Sequence, residues 1–186
     1  MEKVDIGRSV IGNFTLKNAP HKTLVLILLL GMLSVFVLIG LSNYMNRLGL
    51  LEIILVCLVS AVAVTIPHEG LHGIFMWKFG GKVSFGAKWT KLGPAAYATS
   101  PAYFTKTQYR IISLAPQILT IVALLVAFLA KPSAIVGASC IIIAALNLGG
   151  GCLDIYMFWW VRRFPDNSFF KDNIDGVEVY AQEEVN

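Results

Sequence analysis

The sequence predicts an all-α polytopic membrane protein, with about four transmembrane helices and a short cytoplasmic β-hairpin-like loop between the second and third. Three observations predict it. Apolar residues fill 56% of the 186 positions and charged ones only 14%, where a soluble domain carries about 25% charged residues. The apolar residues gather in long runs, each able to cross ~30 Å of hydrocarbon. The basic residues fall almost entirely on one side of those runs. The mean hydropathy of +0.71 agrees with the first observation.

Three segments follow from this pattern: a cytoplasmic N-terminal stretch over 1–22, a membrane domain over 23–161 and a cytoplasmic tail over 162–186. The first stretch is mixed, with Lys3, Arg8, Lys17 and Lys22 against Glu2 and Asp5. The first span, about 23–41, exceeds a signal-peptide core and no small-residue cleavage site follows it, so it reads as a retained helix. The second, about 50–79, is longer than the hydrocarbon is thick and must tilt or extend past it. Pro67 removes a helical hydrogen bond and predicts a kink just before His68. Gly70 and Gly73 permit close approach of another helix or a substrate backbone, and Gly80-Gly81 ends the helix.

Residues 80–108 are the one long non-helical connector between spans. Alternation over Lys82–Gly86, a Gly93-Pro94 turn and a small-residue run over Ala95–Thr99 predict a hairpin at the membrane surface, the alternative being a basic interfacial loop. The third span, about 109–130, contains Pro116 as a second kink, and Lys131-Pro132-Ser133 makes a tight turn. The fourth, about 134–161, carries Asn147, three glycines at 149–151 and Asp154; the glycines invite unwinding or very close packing. In the acidic tail, Gly176–Tyr180 can add one strand.

Of the 15 Lys and Arg residues, all but Arg47 and Lys131 lie on the side shared by the two termini and the central loop. The positive-inside rule places that side in the cytoplasm, giving a multi-pass protein of the cell membrane with both termini cytoplasmic. The net charge of +4 therefore reports topology, and no nucleic-acid partner is expected. Cys57, Cys140 and Cys152 all fall in apolar runs, with no CxxC pair, and read as packing residues rather than a disulfide framework.

The chemistry centres on His68-Glu69-Gly70-Leu71-His72. Two histidines four apart on a helix share a face and can bind one metal ion, with the Glu between them placed to activate a water held there. Polar groups in an apolar helix mark function. A catalytic zinc takes three protein ligands and keeps one position open. Asp154 supplies the third: it lies eight residues before Arg162, while His72 and His68 lie six and ten before Lys78. At about 1.5 Å rise per residue the three share a level to within a turn or so. The alternative is a buried Asp hydrogen-bonded to an aromatic or backbone group. His21 sits at the foot of the first span, Cys140 and Glu52 lie at the far end of theirs, and Cys152 faces away from Asp154. Glu69 is the candidate general base. Asn147, two turns before Asp154, can hold a substrate carbonyl or act as interhelical hydrogen-bonding glue. Two imidazoles and a carboxylate suit Zn2+.

These residues resemble the site-2 protease class of intramembrane zinc metalloproteases, in which an HExxH helix pairs with a later span carrying Asn and then Leu-Asp. More narrowly, His68–His72, Ala115-Pro116 opening a span, and Asp154 followed by Pro165-Asp166 resemble small bacterial proteins of the DUF3267 zincin-peptidase type. Gly150 and Ile155 stand where the site-2 pattern has a proline and a glycine. The resemblance implies cleavage of a membrane-embedded or membrane-tethered peptide near the cytoplasmic leaflet, and a hairpin over 82–99 that clamps substrate by strand addition. Two other classes remain open: a non-catalytic protein with a structural or relic metal site, and an ion- or proton-coupled transporter using Glu69 and Asp154.

Overall fold

A computed structural model describes residues 9–15, 31, 44, 46–90, 93–129, 133–174 and 176–181. The expected first span over 23–41, the turn at Lys131-Pro132 and His21 lie outside them. In chain order the elements are β1 (Val10–Thr15), α1 (Leu50–Lys78), β2 (Ser84–Thr90), β3 (Gly93–Thr99), β4 (Tyr103–Thr105), α2 (Lys106–Leu114), α3 (Gln117–Leu129), α4 (Ala134–Gly150), α5 (Cys152–Trp160), β5 (Phe169–Asn173) and β6 (Gly176–Tyr180). A 3-10 turn at Val161–Arg163 follows α5.

The expectation of an all-α fold with about four spans is corrected on both counts. The protein is mixed α and β, with two antiparallel sheets. Among the described residues two helical stretches are long and apolar enough to cross a membrane, Leu50–Lys78 and Lys106–Leu129. A third counts only if α4 and α5, bent by 43° at their junction, form one span. The physical reason for the error is that β1 and β4 find their partners, β6 and β5, only through long-range pairing, although β5 and β6 pair locally. In the four-stranded sheet the order is β1-β6-β5-β4. It joins the N-terminal segment, the central connector and the C-terminal segment. A β2–β3 hairpin forms where one is expected, in register from Ser84 opposite Thr99 to Thr90 opposite Gly93, but Gly93-Pro94 is not its turn: both residues open β3, with Pro94 paired to Trp89.

Helix α1 runs unbroken through Pro67 over 29 residues. Its N-terminus is capped by Glu52, whose carboxylate accepts the Gly49 N–H at 2.8 Å, an acid at the positive end of the helix dipole. Its C-terminus closes in a Schellman turn. Gly81 N–H reaches the Met76 carbonyl and Gly80 N–H the Trp77 carbonyl, with Gly80 at φ +88°, a left-handed conformation that favours glycine. The outward faces of α1 and α3 are apolar and exposed, with Leu58, Val62, Ile66, Ile121 and Phe128 among them. Such a surface suits lipid.

The core lies where the four-stranded sheet meets the helix ends. Phe14, Phe104, Phe170 and Val179 from the sheet pack with Met76, Ile112, Tyr156 and Trp160 from the helices. Thr105 caps α2, accepting the Gln108 N–H while the Gln108 side chain accepts the Thr105 N–H at 2.9 Å. Lys106 then fastens α2 to the chain after α5. Its ammonium donates to the Phe164 carbonyl at 2.7 Å and pairs with Asp166 at 2.9 Å.

Gly73 sets how the hairpin seats on α1. A Cβ there would strike the Phe85 ring and come within 3.2 Å of a Val83 methyl, whereas one at Gly70 would meet nothing within 4 Å. Gly73→Val should therefore cost about 1–3 kcal/mol through overpacking. Gly70→Ala should not lower stability. Thermal unfolding in detergent measures both, and equal losses would contradict the docking role of Gly73.

Candidate metal centre

The metal-ligand cluster assembles from α1 and α5. His68 and His72 stand one turn apart on α1, their rings 5.1 Å between centroids. Asp154 occupies the first turn of α5. The His68 Nε2 lies 3.2 Å and the His72 Nε2 3.4 Å from the same carboxylate oxygen, Oδ2 of Asp154. One ligand atom from each residue falls within 4.8 Å of the other two.

What each imidazole does with its other nitrogen decides what the cluster can hold. His72 Nδ1 sits 2.9 Å from the Ile112 carbonyl of α2. That carbonyl is free because the residue four positions on is Pro116, which has no N–H to return. The break between α2 and α3 at Ala115-Pro116 thus creates the acceptor that orients His72. His68 Nδ1 sits 2.8 Å from Asn147 Oδ1. The orientation of the Asn147 amide is set from its other end, where Nδ2 donates to the Pro116 carbonyl at 2.9 Å and to Thr120 Oγ1 at 2.8 Å.

Both Nδ1 atoms face acceptors and donate to them, which leaves both Nε2 atoms directed at one carboxylate oxygen. Three such atoms at this distance share a positive charge, either a proton on an Nε2 or a metal ion. Ligand atoms on a tetrahedron with ~2.0–2.1 Å metal–ligand bonds are about 3.3–3.4 Å apart, which matches the two observed separations. The residues fit a zinc ion, and both histidines have the outer hydrogen bonds that metal-bound imidazoles use.

The bend between α4 and α5 brings Asp154 in. Gly151 stands at the break, where a Cβ would lie 2.8 Å from the Asn147 carbonyl and 3.3 Å from Asp154 Oδ2. The approach of α5 to the site requires glycine there. Glu69 carries no hydrogen bond or ion pair among the described residues. It lines a cleft of about 320 Å³ between α1 and the hairpin, with Ile66, Gly70, Phe85, Gly86 and Tyr97. Of the other residues weighed as ligands, Glu52 caps the opposite end of α1, and Cys152 is buried but outside the cluster.

Residues 61–169 match a protein family described as "putative zincin peptidase". The chain belongs to that family, DUF3267. The match begins midway along α1, ends at the first residue of β5, and includes every member of the cluster. No curated protein and no solved structure matches the chain. DUF3267 membership joins the geometry in pointing to a zinc metallopeptidase.

Behind the DUF3267 cluster stands a group that sequence reasoning missed. Tyr109, buried on α2 one turn before Ile112, donates its hydroxyl to Asp172 Oδ1 at 3.3 Å. Thr99, at the end of the hairpin, donates to the Asp172 backbone carbonyl at 3.3 Å. Strand β5 thereby holds both the helix that orients His72 and the hairpin that covers Glu69. The only signal in the sequence was an acidic residue two positions after an aromatic pair, Phe169-Phe170-Lys171-Asp172.

Enclosure away from water raises the Asp172 carboxyl from 3.8 to about 7. Across that interval the folded protein retains a proton that the unfolded chain has released, so stability falls as pH rises and stays lowered above it. Asp172→Asn keeps an acceptor for Tyr109 and removes the titration. The variant should be more stable than wild type at pH 8, with the decline between about pH 4 and 7 reduced. Denaturant unfolding across that range measures it, and an unchanged slope would contradict the assignment.

Proposed function

We propose that the protein is an intramembrane zinc endopeptidase of the site-2 type, cutting a membrane-embedded or membrane-tethered peptide near the cytoplasmic leaflet. The observation that carries this reading is the pairing of a three-ligand cluster with an uncommitted Glu69 facing a cleft. A structural zinc site closes with four protein ligands, while catalytic sites use three. Among the described residues three converge. The exposed apolar flanks of α1 and α3 support a membrane setting. The segments that the charge count assigns to one side share one sheet, which supports a site near that face.

When bound, zinc supplies a Lewis acid that polarises the scissile carbonyl and acidifies water. The protein's own residues do the rest. The β2–β3 hairpin offers backbone groups on which an extended peptide can add as a strand, and its Phe85 and Tyr97 border the cleft that Glu69 enters. Glu69 takes a proton from the attacking water as the water oxygen bonds to the carbonyl carbon. It returns that proton to the leaving amine as the carbon–nitrogen bond breaks. His68, His72 and Asp154 hold the metal, with Asn147 and the Ile112 carbonyl fixing the two rings.

Glu69→Gln removes the base and keeps the shape. Cleavage of a model transmembrane peptide in proteoliposomes should fall by about 10²–10⁴-fold, while the zinc content of the purified variant stays at the wild-type level. Cleavage at the wild-type rate would remove the peptidase reading. Loss of zinc would show Glu69 to be a ligand instead.

A further inference from the structure

The polar network around His68 ends in an atom with nothing to bind. Asn147 is fully used within the protein: Oδ1 on His68 Nδ1, and Nδ2 shared between the Pro116 carbonyl and Thr120 Oγ1. Thr120 accepts from Asn147, and its own proton goes to Gln117 Oε1 at 3.3 Å. That bond leaves the Gln117 amide nitrogen as the outward end of the chain. Gln117 Nε2 is buried and has no hydrogen-bond partner among the described residues. It also borders the cluster, since a Cβ on Gly151 would strike Gln117 Nε2 and lie 3.3 Å from Asp154 Oδ2.

A buried amide without an acceptor is costly and needs an explanation. Here the explanation is positional. Gln117 is the first residue of α3, directly after the proline whose missing N–H leaves the Ile112 carbonyl to His72. One break in the helix thus places a ring-orienting carbonyl and an unpaired donor beside the same cluster.

We propose that Gln117 is a further catalytic residue, its side-chain N–H donating to the oxygen of the scissile carbonyl. As the carbonyl carbon becomes tetrahedral its oxygen gains charge, and a donor already desolvated beside the cluster can stabilise that charge with little reorganisation. This role rests on the peptidase reading above. It falls to Gln117 rather than Asn147 because both Asn147 N–H groups are already engaged.

The test uses full-length, zinc-loaded protein and two probes of the same apolar peptide sequence, one a phosphinate and one a thiol. Both seek the metal, but only the phosphinate presents a second oxygen in a tetrahedral arrangement. Gln117→Ala should keep wild-type zinc content and thiol affinity, and lose about tenfold or more in phosphinate affinity. On a model transmembrane peptide its kcat should fall by about 10²–10³-fold, with KM changed by less than about threefold. Gln117→Glu, which keeps the volume and an acceptor for Thr120, should show the same selective loss and carries the test if the alanine variant does not fold. Equal affinity for both probes, or a parallel loss of both together with zinc, would overturn the role for Gln117. A wild-type protein that holds zinc but binds neither probe and cuts no peptide would instead overturn the peptidase reading, and Gln117's role with it.

Discussion

Two imidazoles set among apolar helices must find every hydrogen bond inside the protein, and the way they do so organises this molecule. His72 takes its acceptor from a carbonyl that Pro116 cannot satisfy, and His68 takes its acceptor from an asparagine oriented by the carbonyl of that same proline. With both Nδ1 protons committed, both Nε2 atoms converge on Asp154. Remove the break at Ala115-Pro116 and neither ring has a defined tautomer. The metal-binding capacity of α1 and α5 is therefore set by α2, α3 and α4, which contribute none of the three ligands.

The sheet extends this arrangement outward. Tyr109 and Thr99 both bond to Asp172 on β5, so the helix that orients His72 and the hairpin over Glu69 share one anchor. Lys88 adds a second tie from the hairpin to the Ile174 carbonyl beyond β5. Strand β5 is in turn held between β4 and β6, and β6 pairs with β1. A site whose ligands come from two helices thus borders a cleft lined by a hairpin whose base is bonded to the strands near the chain's ends. The packing of Phe14, Phe104, Phe170 and Val179 against the helix ends makes this one continuous core.

Much of the metal cluster is legible in the sequence because its signals are local. His68 and His72 are four apart on one helix, and depth counting along two helices brings Asp154 to their level. The hairpin is legible from alternation and a small-residue run, though Gly93-Pro94 opens β3 rather than making the turn. The four-stranded sheet is only partly so: β6 is legible over Gly176–Tyr180 and pairs with its neighbour β5, but β1 and β4 reach that pair across long stretches of chain that no local pattern announces. That is why an all-α expectation failed even though helices form over Leu50–Lys78 and Ala134–Gly150. Pro116 is legible as a kink, yet its consequence depends on which side chain meets the freed carbonyl of Ile112, and that is a tertiary fact. Gln117 gives no sequence signal at all. Only the accounting of every donor around Asn147 and Thr120 exposes it.

A zinc site of two histidines and one aspartate with room for chemistry is read out by zinc K-edge absorption on the purified, zinc-loaded protein. The spectrum should show two imidazoles at about 2.0–2.1 Å with further oxygen at about 2.0–2.2 Å, and no sulfur. A sulfur shell at about 2.3 Å, placing Cys152 or another thiol on the metal, or a site with a single imidazole, would contradict it.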